Sequence, residues 1–159
     1  MGKIICLNDR EVELSFDELD NLPLEELLTI NYSKISDDIA TFPFIVNQIN
    51  FLLVEANDIL RKEEFQLDCL QANISEYKAK SFMTIKKKLV DEGEKNPTIS
   101  LIESQICLKQ EYKDLQEAFR CQKMKIAEAT KNRDYLNGLY WSSKSKMEVL
   151  ISLSKNISI

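Results

Sequence analysis

The last third of the chain has the heptad spacing of a long helix that packs side by side against another helix. Between Pro97 and Leu153 it contains one glycine, Gly138, and no further proline. Alternating steps of four and three residues reach mostly apolar or aromatic side chains, with polar and charged ones between them. These positions are Leu101, Gln105, Leu108, Tyr112, Leu115, Phe119, Gln122, Ile126, Ala129, Arg133, Leu136, Tyr140, Ser143, Met147 and Leu150. The pattern predicts one long helix, whose apolar stripe needs a second long helix to pack against.

Residues from about 41 to 91 supply that second helix. Thr41 is a suitable N-cap, and Pro43 fits the first turn, where its missing N–H costs little. An apolar stripe at helical spacing follows, with one change of register along it: Ile45, Ile49, Leu52, Ala56, Ile59, Leu67, Leu70, Ile74, Tyr77, Phe82, Ile85 and Leu89. Gly93 suits the end of this helix, Pro97 ends any continuation, and Thr98 or Ser100 can cap the helix that follows. The connection is short, so we expect the two helices to be antiparallel.

The first forty residues do not have the pattern of a long helix. Asn8 and Asp9 form a turn signal between two short apolar segments and predict a β-hairpin over Lys3–Leu14. Ser15 and Glu18 have capping-box spacing, and Pro23 restarts a short helix. The predicted fold is therefore mainly α, a long antiparallel helical hairpin or coiled coil with a small N-terminal β-hairpin and short helix. We place an acidic N-terminal domain at 1–40 and an antiparallel two-helix coiled-coil body at 41–159.

Several classes of function lack the residues they need. The chain has no histidine, which removes the commonest general base and the Ser–His and Cys–His pairs. Its four cysteines form no CxxC pair, and there is no glycine-rich phosphate loop. We therefore predict a protein that is not an enzyme, with no catalytic residues, metal site or cofactor. No uninterrupted apolar run approaches ~20 residues and no secretory signal is visible, so we predict no membrane partner and an intracellular protein.

Charge is unevenly distributed along the chain. Residues 1–60 carry 3 basic and 12 acidic side chains, whereas residues 61–159 carry 18 basic and 14 acidic ones. The candidate nucleic-acid-binding residues are two groups of lysines in the basic part: Lys78, Lys80, Lys86, Lys87 and Lys88, and then Lys144 and Lys146. The aromatic residues near them in sequence are Tyr77, Phe82, Tyr135, Tyr140 and Trp141. Single-stranded nucleic acid needs fixed positive charges for its phosphates and aromatic faces for its bases. Lysines on the flank of a helical hairpin are equally typical of a face that only keeps the protein in solution.

The predicted C-terminal helix, between Pro97 and Leu153, also carries motifs in a recognisable order. Pro97, Thr98, Ile102, Glu103 and Ile106 are followed by the Glu111–Tyr112–Leu115 step, and the closing segment is LNGLYWSSKSKMEVLISL, Leu136 to Leu153. Over roughly residues 60–155 this arrangement resembles small phage helical proteins related to the UvsY-type recombination mediators. The resemblance implies an oligomeric accessory factor of recombination in the cytoplasm of a phage-infected bacterium. It implies binding of single-stranded DNA, of a recombinase and of a single-strand-binding protein, with Lys78 to Lys88 as the matching DNA-contact lysines.

Two functions remain open at this point. One is a homo-oligomeric, single-stranded-DNA-binding protein that helps to load a recombinase. The alternative is a non-enzymatic coiled-coil structural or assembly protein of a phage particle, which the apolar stripes and the acidic N-terminal region would serve equally well.

Overall fold

A computed structural model describes residues 2–157 of the chain. The protein is 83% helical, which confirms the predicted mainly α fold with its helical-hairpin architecture, small N-terminal β-hairpin and short helix. Contacts divide the chain into two compact units. The first unit comprises the described residues of Met1–Leu60 and Ala129–Ile159, and the second unit is Arg61–Glu128.

The β-hairpin is built by strands β1 (Lys3–Leu7) and β2 (Arg10–Leu14), which pair antiparallel with Leu7 opposite Arg10. Asn8 and Asp9 connect them with φ values of 48° and 64°. Both angles lie in the left-handed region, which Asn and Asp tolerate better than most residues and which a two-residue hairpin turn requires. The turn signal in the sequence is therefore confirmed.

The helical elements follow in order. A 3₁₀ turn at Phe16–Asn21 precedes the short helix α1 (Leu24–Leu28), and a second 3₁₀ turn lies at Tyr32–Lys34. The long helix α2 spans Ile35–Asp91, the short helix α3 spans Ile99–Leu108, and the long helix α4 spans Gln110–Ile157.

Helix α2 begins earlier than the sequence predicts. It starts at Ile35, so Pro43 lies inside the helix and Thr41 is not its N-cap. The Thr41 hydroxyl instead donates a hydrogen bond to the carbonyl of Asp37, one turn back. Proline in a helix interior removes a backbone hydrogen bond. Burial of Ile35 and Phe42 in the core of the first unit offsets that cost.

The end of α2 and the start of α3 follow the predicted cap residues. Gly93 has φ +101°, and the N–H groups of Gly93 and Glu94 donate to the carbonyls of Val90 and Leu89. This pair of bonds is the Schellman arrangement, in which a glycine ends a helix. Thr98 caps α3 by accepting a hydrogen bond from the N–H of Leu101.

The single long C-terminal helix of the sequence prediction is in fact two helices. Lys109 leaves helical geometry with ψ 133°, which separates α3 from α4. The break turns α3 so that Ile102 and Ile106 are buried, whereas Leu101 and Leu108 of the predicted stripe are exposed. Here Ile102 and Ile106 pack against Ile85 and Leu89 of α2, and that contact decides which stripe faces inward.

The core of the first unit joins the β-hairpin to both long helices. The hairpin contributes Ile5, Leu7 and Leu14. The segment after it contributes Leu19 and Leu22, and α1 contributes Leu27. Helix α2 contributes Phe42, Ile45, Ile49 and Leu52. In the part of α4 that belongs to this unit, the buried positions are Ala129, Leu136, Leu139, Ser143, Lys146 and Leu150. Ala129, Leu136, Ser143 and Leu150 belong to the predicted stripe. Leu139 and Lys146 are buried in place of Tyr140 and Met147, which are only half-buried against the same core.

The second unit contains an antiparallel pairing of α2 with α4. Near one end of the pairing, Gln122 of α4 donates from Nε2 to the backbone carbonyl of Glu63 at 2.9 Å and also to the Glu63 carboxylate. Further along α2, Tyr77 stacks on Tyr112, with ring centroids 6.3 Å apart. Residues later in α2 thus meet residues earlier in α4, as an antiparallel pair requires.

The 3₁₀ turn at Tyr32–Lys34 runs into α2, and the combined helix is long and apolar enough to cross a membrane, judged by length and composition alone. Its most apolar window has a mean hydropathy of 1.4, and 33% of that window is buried inside the protein. The core helix of a soluble protein passes the same test. The absence of a membrane partner therefore stays a prediction.

Candidate nucleic-acid interface

The five candidate lysines of α2 are all exposed, but they do not form one row. A helix turns about 100° per residue. Lys80 and Lys87, seven residues apart, therefore share one face, and Lys78 lies on the opposite face. Lys86 and Lys88 lie on the two flanks between them. A single strand that follows one side of α2 meets only part of this set.

Two of these lysines are paired with carboxylates of the same helix or its end. The Lys80 ammonium hydrogen-bonds the Glu76 carboxylate and lowers the pKa of that carboxyl. The Lys88 ammonium lies 3.7 Å from a carboxylate oxygen of Glu92. Ion pairs one turn apart on an exposed helix are weak, but each reduces the charge available to a phosphate.

Lys78 lies between two grooves of the second unit. The first groove, of about 310 Å³, lies between α2 and α3 and is lined by Lys78, Ala79, Phe82, Glu103, Ile106 and Cys107. The second, of about 200 Å³, lies between α2 and α4 and is lined by Gln71, Ile74, Ser75, Lys78, Gln116 and Phe119. Each groove thus contains one phenylalanine, and Lys78 lines both grooves. This side of α2 offers both an ammonium group and aromatic surface.

Two further contacts place lysines against aromatic rings on α4. Lys78 Nζ lies 5.7 Å from the centroid of Tyr112. Lys123 Nζ lies 4.7 Å from the centroid of Phe119, which lines the second groove. Both distances are within the range of a cation–π interaction. Phe82 lies near these lysines in sequence, but nothing local shows that Tyr112 and Phe119 meet Lys78 from another helix.

The lysines near the C-terminus lie in the first unit and differ from each other. Lys144 is partly exposed, and its Nζ lies 5.0 Å from the centroid of the exposed Trp141. Lys146 is only 8% exposed. Its ammonium donates to the carbonyl of Leu27 at 2.8 Å and lies 4.4 Å from the centroid of Phe42. A buried ammonium in these contacts is not available to a phosphate, so we leave Lys146 out of the proposed surface.

Burial also changes the titration of Lys146. Desolvation lowers its pKa from the ordinary value of about 10.5, opposed in part by the charge of Asp38. The folded chain therefore releases this proton at a lower pH than the unfolded chain does. Between the two pKa values the unfolded chain binds more protons, so raising the pH through that window stabilises the folded state.

We expect this effect to appear as a difference between the wild type and Lys146→Met. Raising the pH from about 7 to about 10.5 should shift the free energy of unfolding of the wild type upward relative to that of the variant. Urea denaturation across this range measures both free energies. The pH dependence that comes from groups common to the two proteins cancels in the difference. Lys144→Met is the matched control, since it removes one ammonium from the same helix at a partly exposed position. A difference that does not change with pH would contradict the assignment.

Other chemistry-bearing side chains are dispersed. Cys6, Cys69, Cys107 and Cys121 are free and exposed. Within residues 2–157, no three His, Cys, Asp or Glu side chains are grouped closely enough to hold a metal ion. A cavity of about 700 Å³ lies in the first unit beside Lys146, and Glu25, Glu26 and Asp38 line it. These three carboxylates make it a poor site for an anionic ligand.

Comparison with known proteins adds no relative. No protein-family model, no curated protein and no solved structure matches the chain. The resemblance to the UvsY-type mediators therefore stays a prediction.

Proposed function

We propose that the chain is an oligomeric accessory protein that binds single-stranded DNA. The observation that supports this most is the arrangement around Lys78 in the second unit. Phe82 and Phe119 lie in grooves on either side of that lysine, and Lys123 stands over Phe119. A single strand needs phosphate contacts and stacking surfaces in the same place, and a flank that only solubilises a helix needs no aromatic groups.

Self-association is the second part of the proposal. Phe44 and Phe51 lie seven residues apart on α2, and they are 72% and 55% exposed. Val54, one turn further along, is also exposed. An exposed apolar row at heptad spacing is the surface that helices use to pair. From the resemblance we add the role of assisting a recombinase and a single-strand-binding protein in a phage-infected cell.

A salt series with a fluorescent oligonucleotide tests the DNA-binding proposal. We expect the logarithm of the affinity to fall linearly with the logarithm of salt concentration, because each contacted phosphate releases counterions. Replacing Lys78 and Lys86 with Ala removes one charge from the grooved side of α2 and one from the flank next to it. If both lysines contact phosphates, this double variant should flatten the slope by about 1.4.

The matched control is the double variant Lys80→Ala with Lys87→Ala. It removes the same charge from the same helix, on the opposite face, and should change the slope much less. Equal slopes for the two double variants would show that binding has no preferred face and would contradict this site. No oligonucleotide binding even at low salt would contradict the DNA-binding function itself.

The alternative function, a structural or assembly protein of a phage particle, is favoured by the same apolar row on α2. It needs no lysine surface, only the pairing of Phe44 and Phe51 with another helix. A chain that bound no oligonucleotide at low salt but grew in native mass with concentration would fit this alternative.

A further inference from the structure

The groove between α2 and α3 combines apolar walls with two side chains of opposite charge. It exists because α3 is separated from α4 at Lys109, which lets Ile102 and Ile106 pack onto α2 while Cys107 stays at the surface. Its walls are Ala79, Phe82 and Ile106, and its polar groups include Lys78 and Glu103. It is thus an apolar slot that carries one positive and one negative side chain.

The size of the groove limits its occupant. Its volume of about 310 Å³ is at the lower end of small-molecule sites, which span about 300–1,000 Å³. One planar ring system fits such a space. Phe82 provides the aromatic face on which such a ring would stack.

The two charged groups suggest which ring and in which orientation. The Lys78 ammonium attracts a phosphate, whereas the Glu103 carboxylate repels one. A nucleotide entering the groove is therefore best accommodated with its phosphate on the Lys78 side and its base toward Glu103. An ionised carboxylate only accepts hydrogen bonds, so it favours a base with an exocyclic amine, as in the pairing of Glu with the N4 amine of cytosine.

We propose that this groove binds one nucleobase of a single strand, with a preference for an amine-bearing base such as cytosine over thymine. The proposal rests on the DNA-binding function above and adds a base-binding site to it. Phe82 stacks on the base, Lys78 contacts the adjoining phosphate, and Glu103 accepts a hydrogen bond from the base amine.

Cys107 makes occupancy of the groove measurable in the unmodified chain. Its thiol lines the groove, whereas Cys69 is exposed on α2 outside it. We expect oligo(dC), at about ten times its Kd, to slow alkylation of Cys107 by iodoacetamide about tenfold, because only the unbound fraction stays open. Cys69 in the same sample should react at its original rate. An oligonucleotide of the same length without bases should bind through phosphates and leave Cys107 reactive.

Glu103→Gln tests the base preference. The wild type should bind oligo(dC) about tenfold more tightly than oligo(dT), and the variant should lose most of that ratio, because an amide can also donate to thymine. Glu111→Gln is the matched control, since it removes one carboxylate from the same unit outside the groove and should keep the ratio. An unchanged ratio in Glu103→Gln would overturn the role of Glu103.

Four other outcomes would overturn the base site. If oligo(dC) binds but Cys107 still reacts at its original rate, or if the base-free strand protects it equally, the groove holds no base although DNA binding stands. If no oligonucleotide binds, the proposed function fails with it. If Cys107 becomes protected as protein concentration rises without DNA, the groove is covered by another copy of the chain instead.

Discussion

Gln122→Glu should lower the free energy of unfolding by about 3 kcal/mol, because it would turn a donor into an acceptor in a buried contact. In the wild type the Gln122 amide donates to both the carbonyl and the carboxylate of Glu63. A carboxylate at position 122 would face these two acceptors with no proton to share. The loss should shrink toward pH 4, where the introduced carboxyl group becomes protonated and can donate as the amide does.

The control for this change is Gln116→Glu on the same helix. Gln116 donates to the hydroxyl of Tyr112, and a hydroxyl can donate to a carboxylate in return. We expect a loss within about 0.5 kcal/mol, measured by urea denaturation and circular dichroism. Equal losses in the two variants would mean that the contact between Gln122 and Glu63 does not hold α2 and α4 in register.

Leu136→Ala should cost about 3 kcal/mol, because it leaves a cavity in the core of the first unit. Leu136 is fully buried there, with 0% exposure. Trp141, the single tryptophan of the chain, belongs to the same unit. Its fluorescence during urea denaturation reports the loss directly.

Leu108→Ala is the matching substitution at an exposed position. Leu108 is 73% exposed, so its truncation should change the free energy of unfolding by no more than about 0.5 kcal/mol. The heptad pattern of the sequence puts Leu108 and Leu136 in one stripe. In the structure the helix is broken at Lys109, and Leu108 is exposed whereas Leu136 is buried. Similar losses of unfolding free energy in both variants would favour one uninterrupted helix over a helix break at Lys109.

The features that the sequence predicts correctly are those with local chemistry. The Asn8–Asp9 turn depends on two residues that tolerate positive φ, and both adopt it. Gly93 and Thr98 end and start helices through hydrogen bonds to their own neighbours. Such signals are readable because every partner lies within a few residues along the chain.

The features that the sequence misses depend on contacts between distant residues. Nothing at Lys109 marks a helix end, since neither glycine nor proline is near it. Ile102 and Ile106 are as apolar as Leu101 and Leu108, so composition cannot choose between the two stripes. The choice is made by Ile85 and Leu89, on another helix.

For the candidate lysines, too, the sequence lacks the features that depend on contacts with other residues. The lysines of α2 are exposed, but their sequence does not show that Glu76 and Glu92 pair with two of them. Lys146 could have been identified as buried by stepping three residues on from Ser143, which is the register that α4 uses in the first unit. Its carbonyl partner, Leu27, is far away in sequence and leaves no local signal.

The contact between Gln122 and Glu63 constrains the two positions unequally over evolutionary time. One of its acceptors is the main-chain carbonyl of residue 63, which every amino acid carries. Drift at position 63 should therefore leave half of the contact in place, whereas position 122 must keep a side chain that can donate. Variation in descendants of this chain should be tolerated far more readily at 63 than at 122.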